Sequence, residues 1–582
     1  IFIYMKYSGG ELLLKALKDE GVKFIFGYPG GAALHIYDAI FRQKYVDHIL
    51  VRHEQGATHA ADGYSRATGK PGVVLVTSGP GATNAITGLA TAFMDSIPLV
   101  VISGQVQSHL IGTDSFQETD MIGVSRPIVK HSYLVQSAEE IPSIVQEAFY
   151  IAQTGRPGPV VIDIPKDKTD PLHKYKYKKP AKPYLRSYQP KIKPHPGQIK
   201  KAAKAILSSE RPVIYAGGGA IYSNAAKELS ELNKILKVPV TNTLMGLGVY
   251  PAKNKLFLGM LGMHGTYQAN MAMHNADLIL AVGSRFDDRI TNTPSLFAPN
   301  AKIVHIDVDP ASISKIIKAD IPIVGQVKDS LQALIKEIKR SKIKIDTDAI
   351  DIWNTQIDKW RKKHGLDHDL YQKKLKSKMI IPQVVVQELY NVTNGNAYVT
   401  SDVGQHQMFV AQYYHFNKPR RWINSGGLGT MGFGLPAALG VKLAFPKQEV
   451  VCVTGEGSIQ MCIQELSTCL QYGLPIKIVN INNEALGMVR QWQDMNYGGR
   501  HSASTYQNSL PDFVKLTESY GHVGLKVTKP SNLRKTLEKA FAMKDKLVFI
   551  DVLVDPNEHV YPMLVAPNGS MKDMWLSKNK KT

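Results

Sequence analysis

Along most of this chain, short apolar segments alternate with stretches in which apolar residues recur every three or four positions. Lys23–Phe26, His48–Arg52, Gly72–Thr77, Pro98–Ser103 and Val160–Ile164 read as strands, with helices between them. The rhythm resumes at Pro212–Ala216 and again at Ala397–Ser401, so the pattern predicts an α/β protein built on parallel sheets. Its clearest unit spans 450–492. Val450–Val453 is a strand and Thr454-Gly455-Glu456-Gly457-Ser458 a sharp turn. Ile459, Ile463, Leu466 and Leu470 then mark one face of a helix that Ser458 is placed to cap. A second strand, Ile476–Ile481, ends at Asn482-Asn483, which completes a βαβ unit whose two parallel strands lie side by side.

Two breaks in the rhythm divide the chain. Over 171–197 prolines and lysines dominate and no acidic residue occurs, the composition of an extended linker. Over 341–379 the sequence is charged and helical in pattern, a second linker. The expected division is a first domain over 5–170, a central domain over 198–340, a third over 380–557, and a tail over 558–582 that folds over a neighbour or a pocket. A chain of 582 residues is too long for one core, which agrees with this division. Met5 reads as the start of the native chain, leaving Ile1–Tyr4 as a disordered extension.

Composition changes this picture little. A content of 44% hydrophobic and 20% charged residues describes a globular protein, and no apolar run reaches membrane-spanning length. The net charge of +21 raises nucleic-acid binding, but lysine and arginine are spread through every segment without a basic, aromatic-interleaved helix. The excess is therefore assigned to lysine-rich composition, with a positive field that favours phosphate-bearing ligands. Cys452, Cys462 and Cys469 lack metal-ligand spacing and read as small buried hydrophobes in a reducing compartment. Neither a signal nor a transit peptide is recognisable, so a cytoplasmic location is expected.

The candidate chemistry gathers at strand ends. Glu456 and Asn483 close the two strands of the 450–492 unit, at the edge where α/β sheets bind ligands. A helix N-terminus there attracts anions, and a carboxylate with a carboxamide oxygen suits Mg²⁺, often held jointly by protein and phosphate. This predicts a metal–diphosphate site; the plainer reading is a tight turn and a loop. Glu54 stands at another strand end, where Gly56, Ala57 and Ala60 permit close packing over it; the plainer reading is a solvated glutamate stabilised by the helix dipole. The segment Ser78–Asn84 is glycine-rich but lacks the lysine of a phosphate loop, so phosphate binding is not expected there. In the central domain Gly217-Gly218-Gly219 follows a strand as a nucleotide-binding turn does, Asp307 is placed to accept from a ribose, and Arg289 offers a carboxylate clamp. In the third, Gly404-Gln405-His406 and the glycine-dense stretch 421–434 imply close backbone approach.

Taken with F-G-Y-P-G-G, R-H-E-Q-G-A, F-Q-E, L-G-M-H-G, R-F-D-D-R, S-G-G-L-G-T-M-G-F-G and G-M-V-R-Q-W, these motifs make the chain similar to the acetohydroxyacid synthase (acetolactate synthase) large subunits, a thiamine diphosphate-dependent enzyme family. The resemblance implies thiamine diphosphate-binding folds for the first and third domains and a Rossmann-like, FAD-associated central domain. It implies decarboxylation of pyruvate and transfer of the hydroxyethyl unit to pyruvate or 2-ketobutyrate, giving 2-acetolactate or 2-aceto-2-hydroxybutyrate in branched-chain amino acid biosynthesis. Its cofactors are thiamine diphosphate, Mg²⁺ and a structural FAD. Its active site forms between the first domain of one subunit and the third of another, so a homodimer or larger assembly is expected, with a small regulatory subunit.

Residue by residue, the resemblance implies that Glu54 activates the cofactor. Thiamine diphosphate falls to Gly404, Gln405, His406, Gly429, Met431, Gly455, Glu456, Gly457, Ser458, Asn483, Ala485 and Met488, and Mg²⁺ to Glu456, Asn483 and Ala485. Substrate falls to Gly31, Phe116, Gln117, Lys166, Met263, Arg289, Val489 and Trp492. FAD falls to Arg156, Gly217, Gly218, Gly219, Met263, His264, Gly265, Gly283, Arg285, Asp287, Arg289, Asp307 and Gln326. Two positions depart from the family pattern: Glu456 and Gln326 each stand where aspartate is usual. Two alternatives follow, another thiamine diphosphate enzyme acting on 2-keto acids (an oxidase, carboligase or decarboxylase) or a catalytically silent paralogue. The second is motivated by Glu456, whose extra methylene displaces the carboxylate at a metal that demands near-octahedral geometry.

Overall fold

Three six-stranded sheets, parallel at every pairing, carry the chain. The computed structural model describes residues 6–190 and 193–582, so the expectation for Ile1–Tyr4 and Met5 lies outside the described residues. The first sheet contains β1 (Phe24–Gly27), β2 (Asp47–Leu50), β3 (Gly72–Val76), β4 (Leu99–Gln105), β5 (His131–Leu134) and β6 (Val160–Pro165), in the order β2-β1-β3-β4-β6-β5. The central sheet contains β7 (Pro212–Ala216), β8 (Val240–Asn242), β9 (Phe257–Met260), β10 (Leu278–Val282), β11 (Lys302–Asp307) and β12 (Ile321–Val324). Its order, β9-β8-β7-β10-β11-β12, is that of the dinucleotide-binding doubly wound sheets. The third contains β13 (Tyr398–Ser401), β14 (Trp422–Asn424), β15 (Val450–Thr454), β16 (Lys477–Asn482), β17 (Val523–Val527) and β18 (Val548–Leu553). Its order, β14-β13-β15-β16-β18-β17, repeats that of the first sheet strand for strand. Strands such as β3 and β15 are buried at every residue because helices cover both faces, which is why they read as unbroken apolar runs.

The first and third domains share one core. Helix α1 (Glu54–Thr68) lies against α4 (Gly434–Ala444), with α2 (Ile86–Asp95) beside it, and the buried residues of both domains form one continuous cluster that includes Phe26, Val74, Phe433 and Val450. Helix α3 (Gln405–Tyr413) opens the third domain's active edge. A Cβ on Gly63 would come 2.3 Å from the Ala437 carbonyl oxygen, and one on Gly440 1.9 Å from that of Ala60, so only glycine lets the two helices touch there. The small residues after Glu54 therefore serve this contact: Ala57 and Ala60 join the shared core, and Gly56 faces Glu465 of α5 (Glu465–Gln471) rather than leaving room over Glu54. Cys452, Cys462 and Cys469 are buried in the same cluster with no disulfide.

The turn after β15 differs from its sequence reading. Only Glu456–Ile459 is helical, Gly455 occupies the capping position, and no side chain caps it. Ser458 lies inside this turn, its hydroxyl donating to the Val403 carbonyl at 3.4 Å. Regular helix resumes at Glu465 as α5, and Leu470 is exposed. At the interruption the Gln460 side-chain amide donates to the Glu456 carbonyl at 2.8 Å. The next helix, α6 (Gly487–Asn496), follows β16. The tail folds back as antiparallel strands β19 (Met563–Leu564), β20 (Met574–Ser577) and β21 (Lys580–Lys581), and its Leu564, Met571 and Met574 enter the core of the central domain beside Trp353. Among the described residues no helix is long and apolar enough to cross a membrane.

Candidate functional site

The carboxyl edge of the third sheet gathers the residues expected to hold a diphosphate and its cation. A cavity of about 80 Å³ there is lined by Gly404, Gln405, His406, Met431, Gly455, Glu456, Gly457, Ser458, Asn483, Ala485 and Met488. Glu456 is buried, and its Oε1 accepts the Ala485 N–H at 2.7 Å, which ties the turn after β15 to the loop after β16. Burial pushes its carboxyl up to about 7 against the opposing effect of its backbone N–H partners. Asn483 Nδ2 donates to Gln405 Oε1 at 3.0 Å, while its Oδ1 accepts the Ala485 N–H at 3.3 Å. The His406 ring, held near pKa 4 by burial, keeps Nε2 buried beside the cavity and without a partner among the described residues. Gly457 lies under Tyr506, whose hydroxyl would stand 2.1 Å from any Cβ. An unsatisfied imidazole, a buried carboxylate and a carboxamide oxygen converging on one small cavity fit a cation-bound diphosphate.

A cavity of about 770 Å³ adjoins it, sharing Val403, Gly404, Met431, Met488 and Val489. Eleven of the residues expected against FAD line it: Arg156, Gly218, Gly219, Met263, His264, Gly283, Arg285, Asp287, Arg289, Asp307 and Gln326. Gly217 and Gly265 do not. A Cβ on Gly217 would meet the Gly283 carbonyl oxygen at 2.5 Å and one on Gly265 the Leu261 carbonyl carbon at 2.5 Å, so these glycines pack turns together behind the wall. Asp307 ends β11, its Oδ1 accepts the Asp309 N–H at 2.9 Å, and burial pushes its carboxyl up to about 6. Gly429, Val489 and Trp492 line the same cavity, so the expected second-substrate residues Arg289 and Trp492 share one space.

Apart from Arg156, the first-domain candidates lie elsewhere. Gly31 follows β1, Glu54 follows β2, Phe116 and Gln117 follow β4, and Lys166 follows β6, so all share the carboxyl edge of the first sheet, yet none lines either cavity. Phe116 is 88% exposed. Glu54 is buried at the start of α1, where its Oε2 accepts from Asn84 Nδ2 at 3.0 Å. Asn84 was missed as a site residue: the glycine-rich segment Ser78–Asn84 serves Glu54, and nothing in its local pattern says so.

A second missed group holds the glycine-dense loop. Asp95, at the end of α2, accepts the Gly426 and Gly427 N–H groups at 3.0 and 2.7 Å, and Arg66 of α1 pairs with it at 3.0 Å and also with Asp62. Thr91, one turn earlier, bonds Thr430 hydroxyl to hydroxyl at 2.7 Å. The first domain thus fixes the loop that presents Gly429 and Met431 to the cavities. Asp95→Asn keeps the shape and removes the charge, so a loss of about 1.5–3 kcal/mol is expected; a lowered Tm, with a raised cofactor requirement, is the check.

Three family descriptions match in succession: the thiamine pyrophosphate enzyme N-terminal TPP binding domain over residues 7–124, the central domain over 199–334, and the C-terminal TPP binding domain over 402–552. Over 573 residues, 98% of this chain and 99% of the relative, the sequence is 58% identical to the acetolactate synthase large subunit of Haemophilus influenzae. It is 57% identical over 577 residues to the acetolactate synthase isozyme 3 large subunit of Escherichia coli, covering 99% of both. The acetolactate synthase of Mycobacterium bovis is 45% identical over 562 residues, 96% of this chain and 90% of that protein.

Proposed function

The chain belongs to the acetolactate synthase large subunits of the thiamine pyrophosphate enzyme family, and on that premise we propose the roles of its residues and the assembly they require. Thiamine diphosphate, when bound, supplies the electron sink for decarboxylating a 2-keto acid and joining its two-carbon remainder to a second one. Gly404, Gln405, His406 and the turn 455–458 hold the diphosphate, and Glu456, Asn483 and the Ala485 carbonyl hold Mg²⁺. Met431 and Met488 form the apolar wall, and Glu54 hydrogen-bonds the pyrimidine and governs its protonation. Arg289 and Trp492, with Met263 and Val489, receive the second 2-keto acid, pyruvate or 2-ketobutyrate, Arg289 pairing with its carboxylate. The larger cavity takes FAD in a structural role, with Arg156, Asp307 and Gln326 on its wall.

One observation carries the assembly. Glu54, Gly31, Phe116, Gln117 and Lys166 form one half-site at the first sheet's edge, the diphosphate loops form another at the third sheet's edge, and within one chain they do not share a cavity. A second copy that sets its first domain against this third domain completes both sites of a symmetric dimer. The relatives named large subunits extend the proposal to a small regulatory partner.

Mixing two inactive variants tests this. Glu54→Gln and Asn483→Ala chains, dissociated and reassociated together, should recover about a quarter of the parent's acetolactate formation from pyruvate, because half of the dimers carry one intact site of two. No recovery overturns the shared site, and acetaldehyde or acetate as main product from the parent overturns the assigned reaction.

A further inference from the structure

Gln491 stands on α6 between residues assigned above, yet it is wholly buried and none of those roles uses it. Its Nε2 donates to the Val560 carbonyl at 3.0 Å, and its Oε1 accepts the Val560 N–H at 2.9 Å. A backbone N–H only donates and a carbonyl only accepts, so Val560 of the tail fixes which end of the Gln491 amide is oxygen. That same Oε1 accepts Gln405 Nε2 at 2.9 Å, and Gln405 Nε2 also donates to the Glu558 carbonyl at 3.3 Å. Gln405 is therefore fixed in turn, with Oε1 facing Asn483, where it accepts Nδ2 at 3.0 Å. The last amide in the row can then present only its oxygen to the small cavity.

We propose that Gln491 is a positioning residue: anchored on Val560, it sets the orientation of Gln405 and through it of Asn483, so that the Asn483 carboxamide offers its oxygen and not its nitrogen to the divalent cation. The proposal rests on the reading of Asn483 as a cation ligand. With Gln405 reversed, its oxygen would face both the Gln491 oxygen and the Glu558 carbonyl, and its nitrogen would face that of Asn483. Asn483 would then have to turn its own oxygen to Gln405 and aim an N–H₂ at the cation. Every link in the row is buried or half-buried, where an unmet donor or acceptor is most costly, so reversal of one amide is coupled to reversal of the others. The tail thereby contributes to the metal site without touching it.

The test is calorimetric titration of Mg²⁺ into the full-length protein with thiamine diphosphate present, which reads binding rather than turnover. Gln491→Met keeps the volume and removes both hydrogen-bonding ends; it should raise the Mg²⁺ dissociation constant by about 10- to 100-fold, the range for lost outer-shell support. Gln491→Glu, kept protonated by burial, still donates through its O–H to the Val560 carbonyl and accepts the Val560 N–H and Gln405 Nε2, so its affinity should stay near the parent's, which a packing role alone does not predict. Equal weakening in both variants, or no weakening in Gln491→Met, overturns the relay. Asn483→Ala separates the two layers. Weakened binding in Asn483→Ala with parent affinity in Gln491→Met sinks only the relay, whereas parent affinity in Asn483→Ala sinks both the ligand assignment and the relay.

Discussion

Glu54→Gln is expected to fold normally and to lose about 10²- to 10⁴-fold in kcat, the contribution of a positioned proton-transfer group. The loss corresponds to about 3–5 kcal/mol of transition-state stabilisation. Folding should survive because a glutamine can still offer an oxygen to Asn84 Nδ2, the one side chain among the described residues that bonds the Glu54 carboxylate. Glu54 also stands in the first turn of α1, where a negative charge is worth about 0.3–1 kcal/mol, too little to unfold a core shared by two domains. What the amide lacks is a group that can take up and release a proton near neutral pH. The drop should therefore lie in kcat with little change in KM or Tm. A variant within tenfold of the parent would remove Glu54 from the chemistry and return it to a helix-terminus role.

The fold was legible because buried parallel strands announce themselves locally. β3 and β15 are apolar or nearly so from end to end, since helices cover both faces. Strand order was not legible, because it depends on contacts between residues far apart in sequence. The diphosphate half-site was legible for the same local reason: a glycine turn carrying Glu456 and an Asn pair end neighbouring strands, and neighbouring parallel strands bring their ends together. Asp95, Asn84 and Gln491 carried no such mark. Each is a polar residue in or near helical sequence, indistinguishable from a surface position until tertiary packing buries Asp95 and Gln491 and sets Asn84 against Glu54. The separation of Glu54 from the cavities has no mark in the local pattern either, for it follows from how two domains of one chain dock; only the resemblance, with its active site between subunits, implied it. The misplaced cap at Ser458 shows the opposite failure, a correct local rule applied too late in the chain, because the helical turn already begins at Glu456 with Gly455 in the capping position.

Glu456 is where the next largest effect is expected, and its two nearest substitutions should move in opposite directions. Glu456→Gln removes the negative charge from the proposed cation site, and ligand charge alone changes such affinities by decades, so the Mg²⁺ concentration for half-maximal cofactor binding should rise by about 100-fold or more. Glu456→Asp keeps the charge and shortens the arm by one methylene. In the structure the longer arm is spent on Ala485: Oε1 accepts its N–H at 2.7 Å, on the residue whose carbonyl is proposed to share the cation. One oxygen is thus held by the loop it should assist, and Mg²⁺ tolerates little departure from octahedral geometry at about 2.0–2.1 Å. An aspartate, too short for that contact, leaves both oxygens free, and the Mg²⁺ requirement should fall by about tenfold, with the products from pyruvate unchanged. Calorimetry of Mg²⁺ binding and acetolactate assays across a Mg²⁺ series, run on all three proteins, read both effects. Equal requirements in parent and Glu456→Asp would mean that the loop carrying Asn483 and Ala485 has adapted to the longer side chain. The bond from Ala485 to Glu456 would then be the adaptation itself, fixing the carboxylate where an aspartate would otherwise have to reach.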